Sequence, residues 1–299
     1  MRIKRRFTFH QDEKKIFRFL DKHKIEYDHN DKSWSVAFEL FEDQENFKLV
    51  DDFMSSKNRT GVATAVYTKD EVENAQWLTV RSTWRNLYPQ PEENGGYKHT
   101  TYDSSCRCEG NPPILTLRNG TTHRELSNKN LPEHHCDKGL VQKNSFVLKK
   151  EPNWGSRNFL MIWWIWDEFF ISLKAVEMLK NSDFTGFDFW DVLNTKGEAM
   201  SNTKQLLIKR YLDYGLHPIS IQETFPCPIC GFVKYFQKPG GNYFKKEIFD
   251  EVKEDIVKTS DKFGEIGCSS LILVTHKFYK AITEAKLDRG LIFEPVELV

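Results

Sequence analysis

Apolar and polar positions along the first 67 residues follow two different periods. Residues 3–9 alternate, as a half-buried strand does, and residues 11–24 place Ile16, Phe17 and Leu20 on one helical face. Val36, Phe38 and Leu40 then alternate with Ala37, Glu39 and Phe41. A second helix follows with Phe47, Val50, Phe53 and Met54 inward, and residues 62–67 return to period two. Strand, helix, strand, helix, strand in so short a span predicts a compact, ferredoxin-like α/β module with its helices on one sheet face. Thr68-Lys69-Asp70-Glu71 fits a capping box, opening a short helix through Val72 and Ala75 that links to the next domain. The expected division is an N-terminal module over 1–68 and a second domain over 69–299.

From Trp77 onward the chain is aromatic and strand-rich. Residues 89–96 and 109–135 carry the densest turn formers and read as loops, the second long enough to need a reason. Two later stretches resemble each other. Phe170-Ile171-Ser172-Leu173-Lys174-Ala175-Val176 opens one, which closes with Gly186-Phe187-Asp188-Phe189-Trp190-Asp191-Val192. Val274-Thr275-His276-Lys277-Phe278-Tyr279 opens the other, which closes with Gly290-Leu291-Ile292-Phe293-Glu294-Pro295-Val296. Ser172 matches Thr275, Lys174 matches Lys277, Leu179 matches Ile282, Phe189 matches Phe293 and Val192 matches Val296. Each copy reads strand, hydroxyl N-cap, amphipathic helix, glycine, strand. The fold class is therefore α+β: a small ferredoxin-like module, then a duplicated strand–helix–strand domain.

Composition narrows the function. Lys and Arg total 43 and Asp and Glu total 43, so no surplus positive charge exists to hold nucleic acid non-specifically. A basic face around Lys143, Lys149, Lys150 and Arg157 is offset by Glu151. The apolar run at 159–166 is too short to span a membrane. The basic start Met1-Arg2-Ile3-Lys4-Arg5-Arg6 leads into polar residues rather than a signal-peptide core. The expectation is a soluble, cytoplasmic protein whose 6 cysteines are thiols or metal ligands. In that compartment the sequons at Asn58 and Asn119 carry no meaning.

Cys227-Pro228-Ile229-Cys230-Gly231 is the sharpest local motif. Two thiolates at this spacing can wrap one metal ion, and the following glycine relieves the tight turn. Cys106, Cys108 and Cys136 supply a second group, and each group precedes one copy of the repeat. That symmetry predicts one shared, structural zinc per chain on Cys136, Cys227, Cys230 and one of Cys106 or Cys108, with Cys108 preferred. The single spacer in Cys106-Arg107-Cys108 is a poor bite for one tetrahedral ion. His134 and His135 could substitute but read as solvated loop residues, and Cys268 reads as a small buried residue. A thioredoxin-like role for Cys227 and Cys230 fits less well, because a strand-like segment follows where a helix should begin.

His123-Arg124-Glu125 with Pro226-Cys227-Pro228-Ile229-Cys230 matches the ligand and acid/base pattern of zinc deaminases. Its context does not, since His123 lies in a loop and the cysteine pair precedes a strand. No P-loop, G-x-S-x-G or H-E-x-x-H is present. The acid pairs Asp51-Asp52 and Glu92-Glu93 read as solvated. Trp163, Trp164 and Trp166 read as part of a buried strand rather than a platform for stacking bases.

The order of cysteine knuckle, strand–helix–strand, Cys-Pro-x-Cys-Gly and closing strand–helix–strand resembles the bacterial double-CXXCG motif proteins. The likeness is best over 159–193 and 227–299, and leaves out 1–67. The second CXXCG maps onto Cys227, Cys230 and Gly231. The first departs from the pattern, since Cys136 is followed by Asp137-Lys138-Gly139 and its partner is displaced by the 109–135 insertion. The resemblance implies a zinc-stabilised, non-enzymatic immunity protein that occludes a cognate toxin. The alternative is a deaminase-like zinc enzyme or a nucleic-acid-binding zinc protein.

Overall fold

The computed structural model describes residues 1–28, 34–102, 138–227, 230–264 and 269–299. The chain divides into two compact units: residues 1–71 with 238–241, and residues 72–237 with 242–299.

The first unit contains β1 (Arg2–His10), α1 (Lys14–Lys22), β2 (Ser35–Phe41), α2 (Phe47–Ser55) and β3 (Val62–Val66). β1 is central, in the order β2-β1-β3, and both neighbours run antiparallel to it. Alternation sends Phe7 and Phe9 to one face, where they join Val36, Phe38 and Leu40 from β2. Ile16 and Leu20 of α1 and Val50 and Met54 of α2 close this core. Phe7 sits directly opposite Phe38 with ring centroids 5.1 Å apart, and Phe19 of α1 stacks on Phe53 of α2 at 3.7 Å. The element order expected from the sequence is present in a mixed α+β arrangement. β2 and β3, joined through α2, flank β1 as the parallel strands of a split βαβ do, whereas β1 and β2, joined through α1, are antiparallel neighbours rather than parallel strands separated by a third. The capping box forms at the head of α3 (Lys69–Asn74): the Thr68 N–H donates to Glu71 Oε2 at 2.7 Å, and the Glu71 N–H donates to Thr68 Oγ1 at 3.2 Å.

In the second unit the chain runs through β4 (Trp77–Ser82), β5 (Thr100–Tyr102), β6 (Leu140–Gln142), β7 (Phe159–Ile162), β8 (Ile165–Ser172) and α4 (Leu173–Lys180). It continues through β9 (Phe187–Leu193), β10 (Ala199–Ile208), β11 (Tyr211–Leu212), β12 (Ile221–Pro226), β13 (Val233–Gln237) and β14 (Tyr243–Phe244). It ends with β15 (Ile256–Thr259), β16 (Lys262–Phe263), β17 (Ile272–Thr275), α5 (His276–Glu284) and β18 (Leu291–Leu298). One sheet has the order β7-β8-β10-β9, and a larger one the order β11-β15-β17-β4-β18-β14. β12, β13 and β16 make a small third sheet, and β5 pairs with β6.

The two large sheets share one core. Phe159, Met161, Phe169, Ile171, Leu206 and Ile208 come from the first; Leu78, Val80, Ile256, Ile272 and Val274 come from the second. Ala175, Val176 and Leu179 of α4 and Phe278 and Ile282 of α5 pack into the same cluster. The opposite faces are buried too. Leu160, Ile162 and Phe170 meet Phe146 and Trp154, while Val257, Leu273 and Val296 meet Leu212 and Phe249. Strands buried on both faces lose the polar half of their alternation, which is why 159–162 reads as a continuous apolar run. Beside this core, His99 is buried edge-on to Phe146 at 5.2 Å, and its Nε2–H donates to the Gln90 carbonyl at 2.9 Å.

Both halves of the expected repeat adopt strand–helix–strand. Ser172 caps α4 by accepting the Ala175 N–H at 3.3 Å, and Thr275 caps α5 by accepting the Phe278 N–H at 3.3 Å. Gly186 and Gly290 precede the returning strands at φ +102° and +86°. At Gly186 a side chain is excluded twice, by the positive φ and by the Ile256 carbonyl oxygen that a Cβ would meet.

Candidate functional site

Cys227 and Cys230 lie between β12 and β13, which pair antiparallel. The Cys227 N–H donates to the Phe232 carbonyl at 2.7 Å, and the Gly231 N–H returns to the Cys227 carbonyl at 2.9 Å. Gly231 takes φ +71°, the role its position implies. Cys227 is buried and Cys230 is half-buried. The expected zinc is corrected at this point. Among the described residues, no group of three or more His, Cys, Asp or Glu side chains is placed to hold a metal ion. A structural zinc takes four ligands, and among the described residues the motif supplies two cysteines. Cys106, Cys108, Cys136 and Cys268 lie outside the described residues, as do His123, Glu125, His134 and His135.

Sequence reasoning missed the feature that stands out at the end of β7. Ile162 pairs with Ile165, so Trp163 and Trp164 form a two-residue hairpin turn. The expectation that these tryptophans are buried in a strand fails: Trp163 is 36% exposed, Trp164 56% and Trp166 43%. Trp164 holds φ +72°, a region that costs a bulky residue on the order of 1 kcal/mol. Residues 84–88 brace the turn from the side. Arg85 bridges in parallel to Met161, and the Trp163 N–H donates to the Leu87 carbonyl at 3.1 Å. The Tyr88 ring lies 6.1 Å from Trp163 and 6.0 Å from Trp164, and the exposed Arg85 guanidinium sits 5.5 Å over Trp166. The signal was legible in principle: a Trp-Trp pair between Ile162 and Ile165 breaks the alternation where a tight turn would.

A buried ionic cluster adjoins this hairpin in sequence. The register between β7 and β8 shifts between Leu160 and Ile162, so Asp167 and Glu168 occupy an irregular stretch of β8. Such irregularities re-aim side chains that strict alternation would separate. The Lys258 ammonium, 1% exposed, bonds Glu168 Oε1. Gln205 Nε2 donates to Glu168 Oε2 at 3.1 Å, and its amide pairs reciprocally with that of Gln142 at 2.8 and 2.7 Å. Asp167 Oδ2 lies 3.7 Å from Lys262 Nζ and accepts the Ser270 N–H at 3.0 Å. Both ammonium groups sit within 6 Å of the Tyr211 ring, at 5.8 and 5.9 Å. Burial pushes the Asp167 carboxyl up, but Lys258 and Lys262 outweigh it and hold the acid below its ordinary range. Burial disfavours the Lys258 charge, yet Glu168 and Asp167 together raise its affinity for the proton. Each ammonium already faces a carboxylate, so the cluster is an internally neutral pin between β8 and β15. The Ser270 hydroxyl beside it is buried with no hydrogen-bond partner among the described residues.

No helix among the described residues is long and apolar enough to cross a membrane. No family model matches the chain, and no curated protein matches it.

Proposed function

We propose that this chain is a non-enzymatic binding protein whose partner-facing surface is the turn carrying Trp163, Trp164 and Trp166. The observation that carries the reading is the exposure of three tryptophans on one braced hairpin. Tryptophan, tyrosine and arginine supply a disproportionate share of the binding energy at protein interfaces; the two aromatics bury large area at low conformational cost, and arginine adds a planar cation that stacks on them. Tyr88 and Arg85 join them here. A bulky residue kept at positive φ on that turn is a local cost that favours a functional use of the turn.

The partner, in this reading, is a cognate bacterial toxin that the chain neutralises by covering it. The support is the double-CXXCG resemblance, one of whose two best stretches begins at this hairpin. The test is co-expression with the product of a toxin gene neighbouring its own. The wild-type chain should protect the cell and co-purify with the toxin. A Trp163→Ala, Trp164→Gly variant should lose both while keeping its circular dichroism spectrum and melting temperature. Full protection by the folded double variant would defeat the reading. So would binding to single-stranded oligonucleotides with none to the toxin, since exposed tryptophans also stack on bases.

A further inference from the structure

The two strand–helix–strand copies correspond well beyond their helices. Ser172 donates its hydroxyl to Asn158 Oδ1 at 2.8 Å and its backbone N–H to the Asn158 carbonyl at 3.1 Å. Thr275 does the same with Asp255, through Oδ1 at 3.1 Å and the carbonyl at 2.9 Å. Asn158 stands directly before β7 and Asp255 directly before β15. β7 pairs antiparallel with β8, and β15 with β17.

The inserted strands match as well. β8 and β9 run parallel with β10 between them, antiparallel to both. β17 and β18 run parallel with β4 between them, antiparallel to both. β10 sets Thr203 opposite Ser172 and Leu206 opposite Phe189. β4 sets Trp77 opposite Thr275 and Val80 opposite Phe293. The same spacing on the inserted strand meets equivalent residues on both sides. Beyond the strands the match continues: the Met161 N–H donates to the Trp84 carbonyl at 3.2 Å, and the Lys258 N–H to the Arg210 carbonyl at 2.9 Å. Trp84 follows Val80 at the interval by which Arg210 follows Leu206.

Both halves therefore run in one order: inserted strand, edge segment, hairpin, helix, returning strand. The inserted strand never lies in its own half's sheet. β4 opens the first half yet fills the sheet of β15, β17 and β18; β10 opens the second half yet fills the sheet of β7, β8 and β9. We infer that residues 77–193 and 199–298 are two copies of one unit that have exchanged their first strands, each completing the sheet of the other. The partner that each copy fits is the other copy, through an antiparallel strand received between its two helix-linked strands. Chance likeness of two strand–helix–strand units does not account for this, because it requires neither a matched register on the inserted strand nor a reciprocal origin for it.

Position 81 tests the exchange directly. Arg81 lies opposite Ile292 on β18, in the other half. Its counterpart on β10 is Leu207, which lies opposite Asp188 on β9. Without exchange, position 81 would face Asp188 in its own half. Two full-length variants are prepared, Arg81→Cys with Ile292→Cys and Arg81→Cys with Asp188→Cys, each carrying a protease site inserted between Lys196 and Gly197. That turn is exposed and joins β9 to β10. The chains are oxidised while folded, then denatured, cleaved and run without reductant against a chain carrying only the protease site. The first variant should hold its two pieces together as one covalent species and release them with reductant. The second should form no added crosslink. The reverse pattern would overturn the inference. A second readout uses the native state: the cleaved, otherwise wild-type chain should elute at the size of the uncleaved one. Two separately eluting pieces, each melting cooperatively, would overturn it equally.

Discussion

Asp167 accepts a hydrogen bond at 3.0 Å from the backbone N–H of Ser270, and the two residues occupy equivalent positions in the two copies. Each stands the same distance ahead of its helix cap, Ser172 or Thr275. The copies therefore meet at matching points, and the ionic pin is built where they do. Its members are asymmetric: Lys258 corresponds to Met161, and Glu168 to Leu271. The apolar counterpart in each copy, Met161 in the first and Leu271 in the second, shows what such a position can accept in place of charge.

Replacing Lys258 alone with Met should be severe. It strands Glu168 and Asp167 without their main cation, and removing one partner of a buried ion pair costs about 3–5 kcal/mol. Adding Glu168→Leu should recover most of that loss, because an apolar pair of similar volume is often neutral or stabilising. Urea unfolding of the two single variants and the double variant gives the coupling. An additive double variant would show that the pair does not act as a unit.

Ser172→Ala and Thr275→Ala should cost similar amounts, about 1 kcal/mol each. Both hydroxyls cap a helix and also donate to a side chain ahead of the neighbouring strand. Chemical denaturation of each variant checks this. A large loss at one site and none at the other would mean that the copies carry their helices differently.

Acidification should expose the burial of His99. Burial lowers its proton affinity below the ordinary histidine value of 6.5. The unfolded chain then takes up a proton that the folded one refuses. Stability contributed by the neutral ring is present above pH 6.5 and is lost as the pH falls toward the folded value. In His99→Gln, the part of the decline in melting temperature between pH 7 and pH 5 that this ring causes should disappear. An unchanged slope would place that decline on other groups.

Trp164→Gly should leave stability unchanged or raise it slightly. The ring is exposed, and glycine adopts φ +72° without the penalty that tryptophan bears. Trp163→Ala should also be mild, whereas Phe170→Ala in the same hairpin should cost about 3–5 kcal/mol because Phe170 is fully buried. Thermal unfolding of the three variants separates surface from core. A strongly destabilised Trp164→Gly would make the turn a packing element rather than a surface for a partner.

What the sequence carries well is local. The hydroxyl caps, the glycines at positive φ and the Thr68–Glu71 box are set by neighbours within a few residues, and they form as their spacing implies. The pairing of β4 with β17 and β18 is not local. Trp77-Leu78-Thr79-Val80 and Thr203-Lys204-Gln205-Leu206 share little in residue type, and only their registers reveal them as counterparts. The N-terminal elements were legible, but the direct antiparallel pairing of β1 with β2 was not, because periodicity carries neither strand order nor direction. The tryptophan turn was misread because an apolar run looks the same whether it continues as a buried strand or reverses. The cysteine spacing allows a metal, but among the described residues no group of three or more ligating side chains forms around it.

The placement of β4 also sets an order of events during synthesis. Thr79 reaches across to the Glu294 carbonyl, 215 positions away. At about 5–20 residues per second, a ribosome takes on the order of tens of seconds to cover that interval. Until β17 is made at residues 272–275, a strand carrying Trp77, Leu78 and Val80 lacks both of its sheet neighbours. β18, made after β17, then covers its other edge. A chain arrested before residue 291 would keep an apolar strand exposed along one edge, in the form that invites aggregation or capture by a chaperone.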